Sequence, residues 1–180
     1  LRPYMSSGDR PRLMPPATGE SSPELRAEAV QQLGVMGAHD ELWTLYQKEG
    51  SVDVKKRIIQ AMFVGGNLAR MSELATNESN VELRRAAIRN LGLMRGPKSG
   101  ETLATLYARE KDPGIKREII NALFLQGNAE QLVAIARKET DPNMRKELVR
   151  RLSQMQSKVA LDYLMQILQK YRGAVCTSTS

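Results

Sequence analysis

Apolar residues recur through the middle of the chain at the spacing of one helix face. In the first such segment they are Leu25, Ala29, Val30 and Leu33, so the later three lie four, five and eight residues after the first. These steps fall within one arc of a helical wheel, which predicts an amphipathic helix. The same pattern begins again at four later residues: Val54, Leu83, Ile115 and Met144.

A shorter apolar pair follows each of these segments after a break. The pairs are Leu42 and Leu45, Met71 and Leu74, Leu103 and Leu106, Leu132 and Ile135, and Leu161 and Leu164. The first four breaks each contain a glycine, which suits the left-handed backbone that ends many helices. These glycines are Gly37, Gly66, Gly96 and Gly127. The sequence therefore predicts five helix pairs, each a longer helix followed by a shorter one.

Each longer helix is preceded by a residue that can cap it. Ser, Asn and Asp side chains accept hydrogen bonds from the free amides of a first helical turn. The predicted caps are Ser22, Ser51, Asn80, Asp112 and Asp141, at intervals of 29, 29, 32 and 29 residues. The three extra residues of the third repeat fall in its turn, around Arg95–Lys98. An insertion in a turn keeps both helices in register.

This periodicity divides the chain into five repeats and two ends. The predicted repeats are residues 22–50, 51–79, 80–111, 112–140 and 141–171. Residues 1–21 are rich in Pro, Gly and Ser and are predicted to form a flexible arm or linker, and 172–180 a flexible tail. Because the chain begins with Leu rather than Met, we expect a processed product or an excised piece. We expect a monomer or a part of a longer chain.

A larger period of 61 residues is also present. Leu45 and Tyr46 match Leu106 and Tyr107 at this offset. Further identities link Lys55, Ile58, Ile59, Ala61, Phe63, Gly66 and Asn67 with Lys116, Ile119, Ile120, Ala122, Phe124, Gly127 and Asn128. We infer that a two-repeat unit was duplicated.

The Asp-Pro-x-aliphatic-basic start, the Ala-rich helix and the Leu-Gly ending resemble HEAT-like repeats of the short, phycobilisome-lyase type. The resemblance covers about residues 22–170 and implies an all-α, right-handed superhelical solenoid of about five helix pairs. It also implies that the first helix of each pair lines the concave side, where its cation pairs with the turn acid. Only Asp112 and Asp141 supply that acid in register, because Ser22, Ser51 and Asn80 replace it elsewhere.

Composition excludes several kinds of site. The 180 residues include one His and one Cys, so the chain cannot form an internal disulfide, a Cys-cluster zinc site or a site with two histidines. His39 precedes two acids at a predicted helix start and is interpreted as a capping or solvent-facing residue. Cys176 lies in the predicted tail and is not expected to be a nucleophile. We therefore expect the chain to have no catalytic, metal-binding or cofactor-binding residues. We also expect that it is not an enzyme.

The remaining composition fits a folded, non-membrane protein. Hydrophobic residues make up 41% of the chain and charged residues 26%, and no apolar run approaches the roughly 18 residues that span a bilayer. Membrane insertion is therefore not expected. Trp43, the sole Trp, is predicted to be partly buried, and Phe63 and Phe124 are predicted to pack between repeats.

Basic residues suggest a binding surface. The net charge is +7. The positions two and six after each leading aliphatic residue point away from the predicted core, and from the second repeat onward most of them are basic. We predict that these residues bind a partner: Lys56, Arg85, Arg89, Arg117, Lys146 and Arg150. If the first helices line the concave side, this basic stripe lies in the groove.

Three functions remain open from the sequence. The first is a non-catalytic scaffold that binds an acidic segment of a protein partner. The second is nucleic-acid binding, as in the HEAT-like DNA glycosylases, which clustered Arg and Lys favour and scarce aromatics oppose. The third is a bilin-lyase-like role in chromophore attachment, which only the type of repeat suggests.

Overall fold

A computed structural model describes the backbone of residues 22–176 and the side chains of residues 22–170. This part of the chain forms ten α-helices and no strand. The helices are α1 Pro23–Val35, α2 His39–Lys48, α3 Val52–Val64, α4 Leu68–Asn77, α5 Val81–Leu93, α6 Pro97–Arg109, α7 Pro113–Leu125, α8 Ala129–Lys138, α9 Pro142–Ser153 and α10 Lys158–Cys176. The predicted all-α class and the five helix pairs are confirmed.

The helices belong to two compact units, which divide between Met94 and Arg95. In the N-terminal unit, the first helices α1, α3 and α5 pack side by side, and α2 and α4 each contact the two first helices that flank them in the chain. In the C-terminal unit, α7 packs on α9, while α8 contacts both α6 and α10. Each unit is thus a two-layered stack of helices, as in an α-solenoid. The boundary coincides with the turn that carries the predicted insertion.

All five predicted caps are confirmed by hydrogen bonds. The Oδ1 atoms of Asp112 and Asp141 accept from the amides of Ile115 and Met144, both at 2.8 Å. The side chains of Ser22, Ser51 and Asn80 accept in the same way from the residue three positions ahead. At the other end of the helices, Gly66 and Gly127 have φ angles of 73° and 69°. A residue with a Cβ would be strained there.

The apolar stripe of each first helix packs into the core, although Val54 and Val149 are only half-buried and one leading residue is exposed. The leading aliphatic residues Leu83, Ile115 and Met144 are buried, but the equivalent Leu25 is 47% exposed. Its helix, α1, contacts α2 and α3 only on the side of the following repeats. The first repeat therefore lacks, within the described residues, the neighbour that covers this position elsewhere.

The last helix differs from the sequence prediction in two ways. Among its residues 158–170, whose side chains the structure describes, Ala160 and Tyr163 are buried, whereas the predicted core residue Leu161 is 58% exposed. Helix α10 contacts α8 and α9 within the C-terminal unit, so only the face toward them is covered. The helix also continues to Cys176, so residues 172–176 of the predicted tail are helical. No proline is present there to stop it. The predicted arm, residues 1–21, lies outside the described residues.

Candidate functional site

Three of the six predicted binding residues line one groove. Lys56 lies on α3, and Arg85 and Arg89 lie on α5, the first helix that packs beside it. Together with Gln60 and Asn90 these side chains line an open groove of about 650 Å³, called the basic groove below. The spacing explains this arrangement, because positions two and six of adjacent first helices point to the same side of the unit.

An acid that the sequence analysis missed lies at the edge of the basic groove. The Lys56 ammonium donates a hydrogen bond to Glu82 Oε2 at 2.6 Å. This bond raises the pKa of Lys56, while the nearby positive charge of Arg89 acts in the opposite direction. The same bond lowers the pKa of Glu82. Glu82 directly precedes the leading aliphatic residue of its repeat, and that position was not considered in tracing the basic stripe.

Arg85 is half-buried in the groove. Its Nε is buried and has no hydrogen-bond partner among the described residues. The Arg85 charge contributes to the lowered pKa of Glu82, so the two groups share one local field. A buried donor without a partner costs free energy, typically about 1–3 kcal/mol. An acceptor entering the groove would remove that cost.

The other three predicted residues lie in the C-terminal unit. Arg117 on α7, and Lys146 and Arg150 on α9, are all exposed. Arg150 Nη1 lies 3.5 Å from Glu147 Oε2, so an acid on the same helix partly offsets its charge. The structure therefore groups the six residues as two sets of three, one in each unit.

A row of carboxylates pairs with the first-helix cations, but it is not the row that the resemblance implied. Glu49 at the end of α2 binds Arg26 at 2.9 Å, and Glu139 at the end of α8 binds Lys116 at 3.2 Å. The expected turn acids, Asp112 and Asp141, instead use their side chains to cap helices. The ladder expectation is thus corrected: in these two pairs the acid is the residue that directly follows the second helix.

These glutamates also organise the turns. A carboxylate oxygen of Glu49, Glu78, Glu110 or Glu139 accepts from the backbone amide two residues ahead, at 2.8–3.0 Å. In each case that amide belongs to the capping residue of the next helix. The signal was visible in the sequence, because a Glu precedes each of these four caps by two positions. It was missed because the repeats were aligned on their caps and not on the preceding residue.

The 61-residue period corresponds to a repeated cluster of side chains. The Tyr46 hydroxyl donates to Glu78 Oε2, and the Tyr107 hydroxyl donates to Glu139 Oε2. Lys55 and Lys116 place their ammonium groups 4.7 and 4.9 Å from the centroids of these two rings. Both copies thus contain a buried tyrosine that contacts a glutamate and a lysine, and the glutamate and lysine are half-buried. The identities at this offset indicated the tyrosines and the lysines, whereas the pairing with Glu78 and Glu139 became visible only in the structure.

Contacts within the cluster shift the pKa values of its tyrosines and glutamates. Burial raises the pKa of Tyr46 and of Tyr107, and the hydrogen bonds to Glu78 and Glu139 raise it further. Burial alone would raise the pKa of Glu78 and Glu139, but other contacts lower these pKa values by more than burial raises them. The opposing contributions are the hydrogen bond from the tyrosine, those from the backbone amides and the lysine charge, so both glutamate pKa values are lowered. The carboxylates are therefore ionised acceptors.

An aromatic stack lies beside the first copy of this cluster. The rings of Trp43 and Tyr46 are parallel to within 3°, with centroids 5.5 Å apart. The guanidinium of Arg70 lies 4.3 Å from the Trp43 centroid and binds Glu73 at 2.6 Å. Trp43 is half-buried, which confirms the predicted partial burial. The Trp43 ring is therefore packed between Tyr46 and Arg70 of the same chain.

A second cavity lies beside the other copy of the cluster. It measures about 360 Å³ and is lined by Tyr107, Lys116 and Glu139 together with Ala104, Gln131 and Ala134. All of these residues belong to the C-terminal unit. We call it the Tyr107 cavity.

Among the described residues, no group of three or more His, Cys, Asp or Glu side chains is arranged to hold a metal ion, and no described helix is long and apolar enough to cross a membrane. No protein-family model matches the chain, and no curated protein is significantly similar to it. The resemblance to HEAT-like repeats therefore stays a prediction.

Proposed function

We propose that this protein is a non-catalytic scaffold that holds an acidic segment of a partner protein in the basic groove. The observation that carries the proposal is the convergence of Lys56, Arg85 and Arg89 on one side of two packed helices. Cations clustered in a groove attract an acidic segment over several ångströms and raise its association rate.

The groove also offers the groups that an acidic peptide uses. Arg85 and Arg89 provide guanidinium donors, which bind carboxylates with two parallel hydrogen bonds. Gln60 and Asn90 supply neutral amides beside them. Leu93, which is 56% exposed at the end of α5, adds apolar surface. This set suits a segment in which acidic residues alternate with an apolar one.

The lining favours a protein partner over a nucleic acid. Proteins that bind single strands stack bases on aromatic side chains, and none of the described residues that line the basic groove is aromatic. The one Trp of the chain stacks on Tyr46 instead. Arg117, Lys146 and Arg150 are a second set of proposed binding residues, which lies within the C-terminal unit.

Fluorescence anisotropy with a short labelled Glu-rich peptide tests the proposal, with mixed-sequence single-stranded and duplex DNA and RNA as competitors. The peptide should bind with an affinity that falls steeply as salt rises. The double variant Arg85→Glu with Arg89→Glu should lose binding and keep its circular dichroism spectrum. A matched control, Lys98→Glu with Lys111→Glu, changes the net charge equally at exposed residues outside the groove.

Three results would overturn the proposal. The Arg85/Arg89 variant could bind the peptide as tightly as the parent at low salt. The control variant could weaken binding as much as the groove variant, which would reduce the effect to net charge. The nucleic acids could bind more tightly than the peptide, which would favour the second function. Reversing Arg117, Lys146 and Arg150 together measures the share of the second set.

A further inference from the structure

Several residues around the tyrosine cluster differ between its two copies. Tyr46, Lys55 and Glu78 correspond to Tyr107, Lys116 and Glu139 at the offset of 61 residues, and the tyrosine–glutamate hydrogen bond and the lysine–ring contact recur in both copies. At the same offset, Trp43 corresponds to Ala104, Arg70 to Gln131 and Glu73 to Ala134. At these three positions the first copy has the larger side chain, whereas Lys138 of the cavity lining replaces the smaller Asn77.

The three larger residues form one layered group in the first copy. Trp43 stacks on Tyr46, the guanidinium of Arg70 covers the indole at 4.3 Å, and Glu73 holds the guanidinium at 2.6 Å. The three smaller residues of the second copy, Ala104, Gln131 and Ala134, all line the Tyr107 cavity. The cavity therefore lies at the position where, in the first copy, the Trp43 indole stacks and the Arg70 guanidinium covers it.

We propose that the Tyr107 cavity binds the indole of a tryptophan presented by a partner protein, stacked on Tyr107 as Trp43 is stacked on Tyr46. We infer the ligand from the chain itself, because in the first copy the equivalent tyrosine, lysine and glutamate have an indole packed against them. Offset-parallel aromatic stacking is a favourable geometry for such a pair. A volume of about 360 Å³ also falls in the range of small-ligand sites.

The cavity supplies a polar group suited to the edge of an indole. An indole has a single donor, its N–H, which finds an acceptor when it is buried. The side chain of Gln131 lines the cavity and carries a carbonyl oxygen in the place of the Arg70 guanidinium. Glu139 already accepts from Tyr107, Lys116 and the amide of Asp141, so Gln131 is the acceptor we assign.

This site is independent of the basic groove. The groove residues Lys56, Arg85 and Arg89 lie in the N-terminal unit, whereas the cavity lies wholly in the C-terminal unit. Its ligand is an aromatic ring and not a carboxylate. The cavity could therefore bind its ligand even if the groove binds nothing, and the two tests use different probes and variants.

The test is a titration of the full chain with N-acetyl-L-tryptophanamide, followed by amide chemical shifts in two-dimensional NMR. Shifts should be confined to residues around Tyr107, with no response around Tyr46, whose position is already occupied by Trp43. N-acetyl-L-leucinamide serves as a non-aromatic probe of similar polarity and should produce much smaller shifts.

Two variants decide the location. Ala104→Trp places the first copy's own indole in the cavity and should abolish the response while preserving the fold. Thr105→Trp adds the same residue at an exposed position on the same helix and should leave the response unchanged. The proposal fails if the parent shows no saturable shifts, if Ala104→Trp responds like the parent, or if the leucine probe is equally effective.

Discussion

The hydroxyl of Tyr46 donates a hydrogen bond to the carboxylate of Glu78, 32 residues further along the chain. This bond links the second helix of the first pair to the end of the second helix of the next pair. Glu78 in turn accepts from the amide of Asn80, which caps α5. A single carboxylate thus connects the packing of neighbouring repeats with the start of the next helix, and Glu139 does the same with Tyr107 in the C-terminal unit.

Removing either tyrosine hydroxyl should destabilise the fold. Tyr46→Phe and Tyr107→Phe keep the ring and delete one donor to an ionised, half-buried carboxylate. Hydrogen bonds to charged groups contribute about 1.5–3 kcal/mol, so each variant should unfold at a lower urea concentration with an unchanged m-value. Tyr163→Phe is the control, because Tyr163 is buried but its hydroxyl has no hydrogen bond to the described residues. Equal losses in all three variants would contradict the assignment.

The same tyrosines should make stability fall at alkaline pH. Their pKa values are raised above the ordinary value of 10.0 in the folded state. Below pH 10 both the folded and the unfolded chain hold these protons, and the stabilisation is complete. Above it the unfolded chain loses them first, so the free energy of unfolding falls by up to about 1.4 kcal/mol per pH unit for each tyrosine.

Urea denaturation curves recorded from about pH 8 to about pH 11 measure this loss of stability. Other groups also titrate there, so the informative quantity is the difference between the parent and the Tyr46→Phe/Tyr107→Phe double variant. The parent should lose stability more steeply above pH 10. Parallel curves would show that the two hydroxyls titrate alike in the folded and unfolded states.

Gly34 should tolerate no side chain. A Cβ built there would lie 2.5 Å from the carbonyl oxygen of Ala61, on the backbone of α3, against which α1 packs. Because backbone cannot move aside as a side chain can, Gly34→Ala should force the two helices apart and cost about 1–3 kcal/mol. Thermal unfolding should show a midpoint lower by about 2–4 °C for each kcal/mol lost.

Gly50→Ala is the matched control for this substitution. No atom lies within 4 Å of a Cβ built at Gly50, and its φ is not positive. Ala there should be neutral or slightly stabilising, because it restricts the unfolded chain. A midpoint for Gly34→Ala at or above that of Gly50→Ala would refute the close helix contact.

Neutralising Glu82 should strengthen binding in the basic groove. Glu82→Gln removes the acid that holds the Lys56 ammonium at 2.6 Å and raises the net positive charge by one. The Glu-rich peptide should bind several-fold more tightly at low salt, and the gain should shrink as salt rises. Glu41→Gln makes the same change in the first turn of α2, away from the groove lining, and should have little effect. Equal gains from both variants would mean that net charge alone governs binding.

Local rules of the sequence were sufficient to predict the helices and their starts. Apolar spacing of four, five and eight residues specifies one buried face of a helix, and a Ser, Asn or Asp before it meets the need of free amides for an acceptor. Both requirements involve residues close in the chain, so Ser51 and Asp112 could be recognised as caps directly. The repetition of these signals also predicted five pairs.

What covers each helix was decided by the tertiary structure. Leu25 and Leu161 follow the repeat pattern, yet both are exposed, because burial requires a neighbouring helix and the pattern describes only the helix itself. The same limit applied to Glu82, which reaches Lys56 from 26 residues away.

The sequence by itself determined the all-α class, the helix starts and the 61-residue period, because each depends on the spacing of residues along one chain. Only the tertiary structure decided which residues meet across helices. It brought Lys56, Arg85 and Arg89 into one groove, paired Tyr107 with Glu139, and left a cavity where Ala104 replaces the Trp43 of the first copy. Contacts between distant residues depend on how the helices pack, and many packings are compatible with the same local pattern.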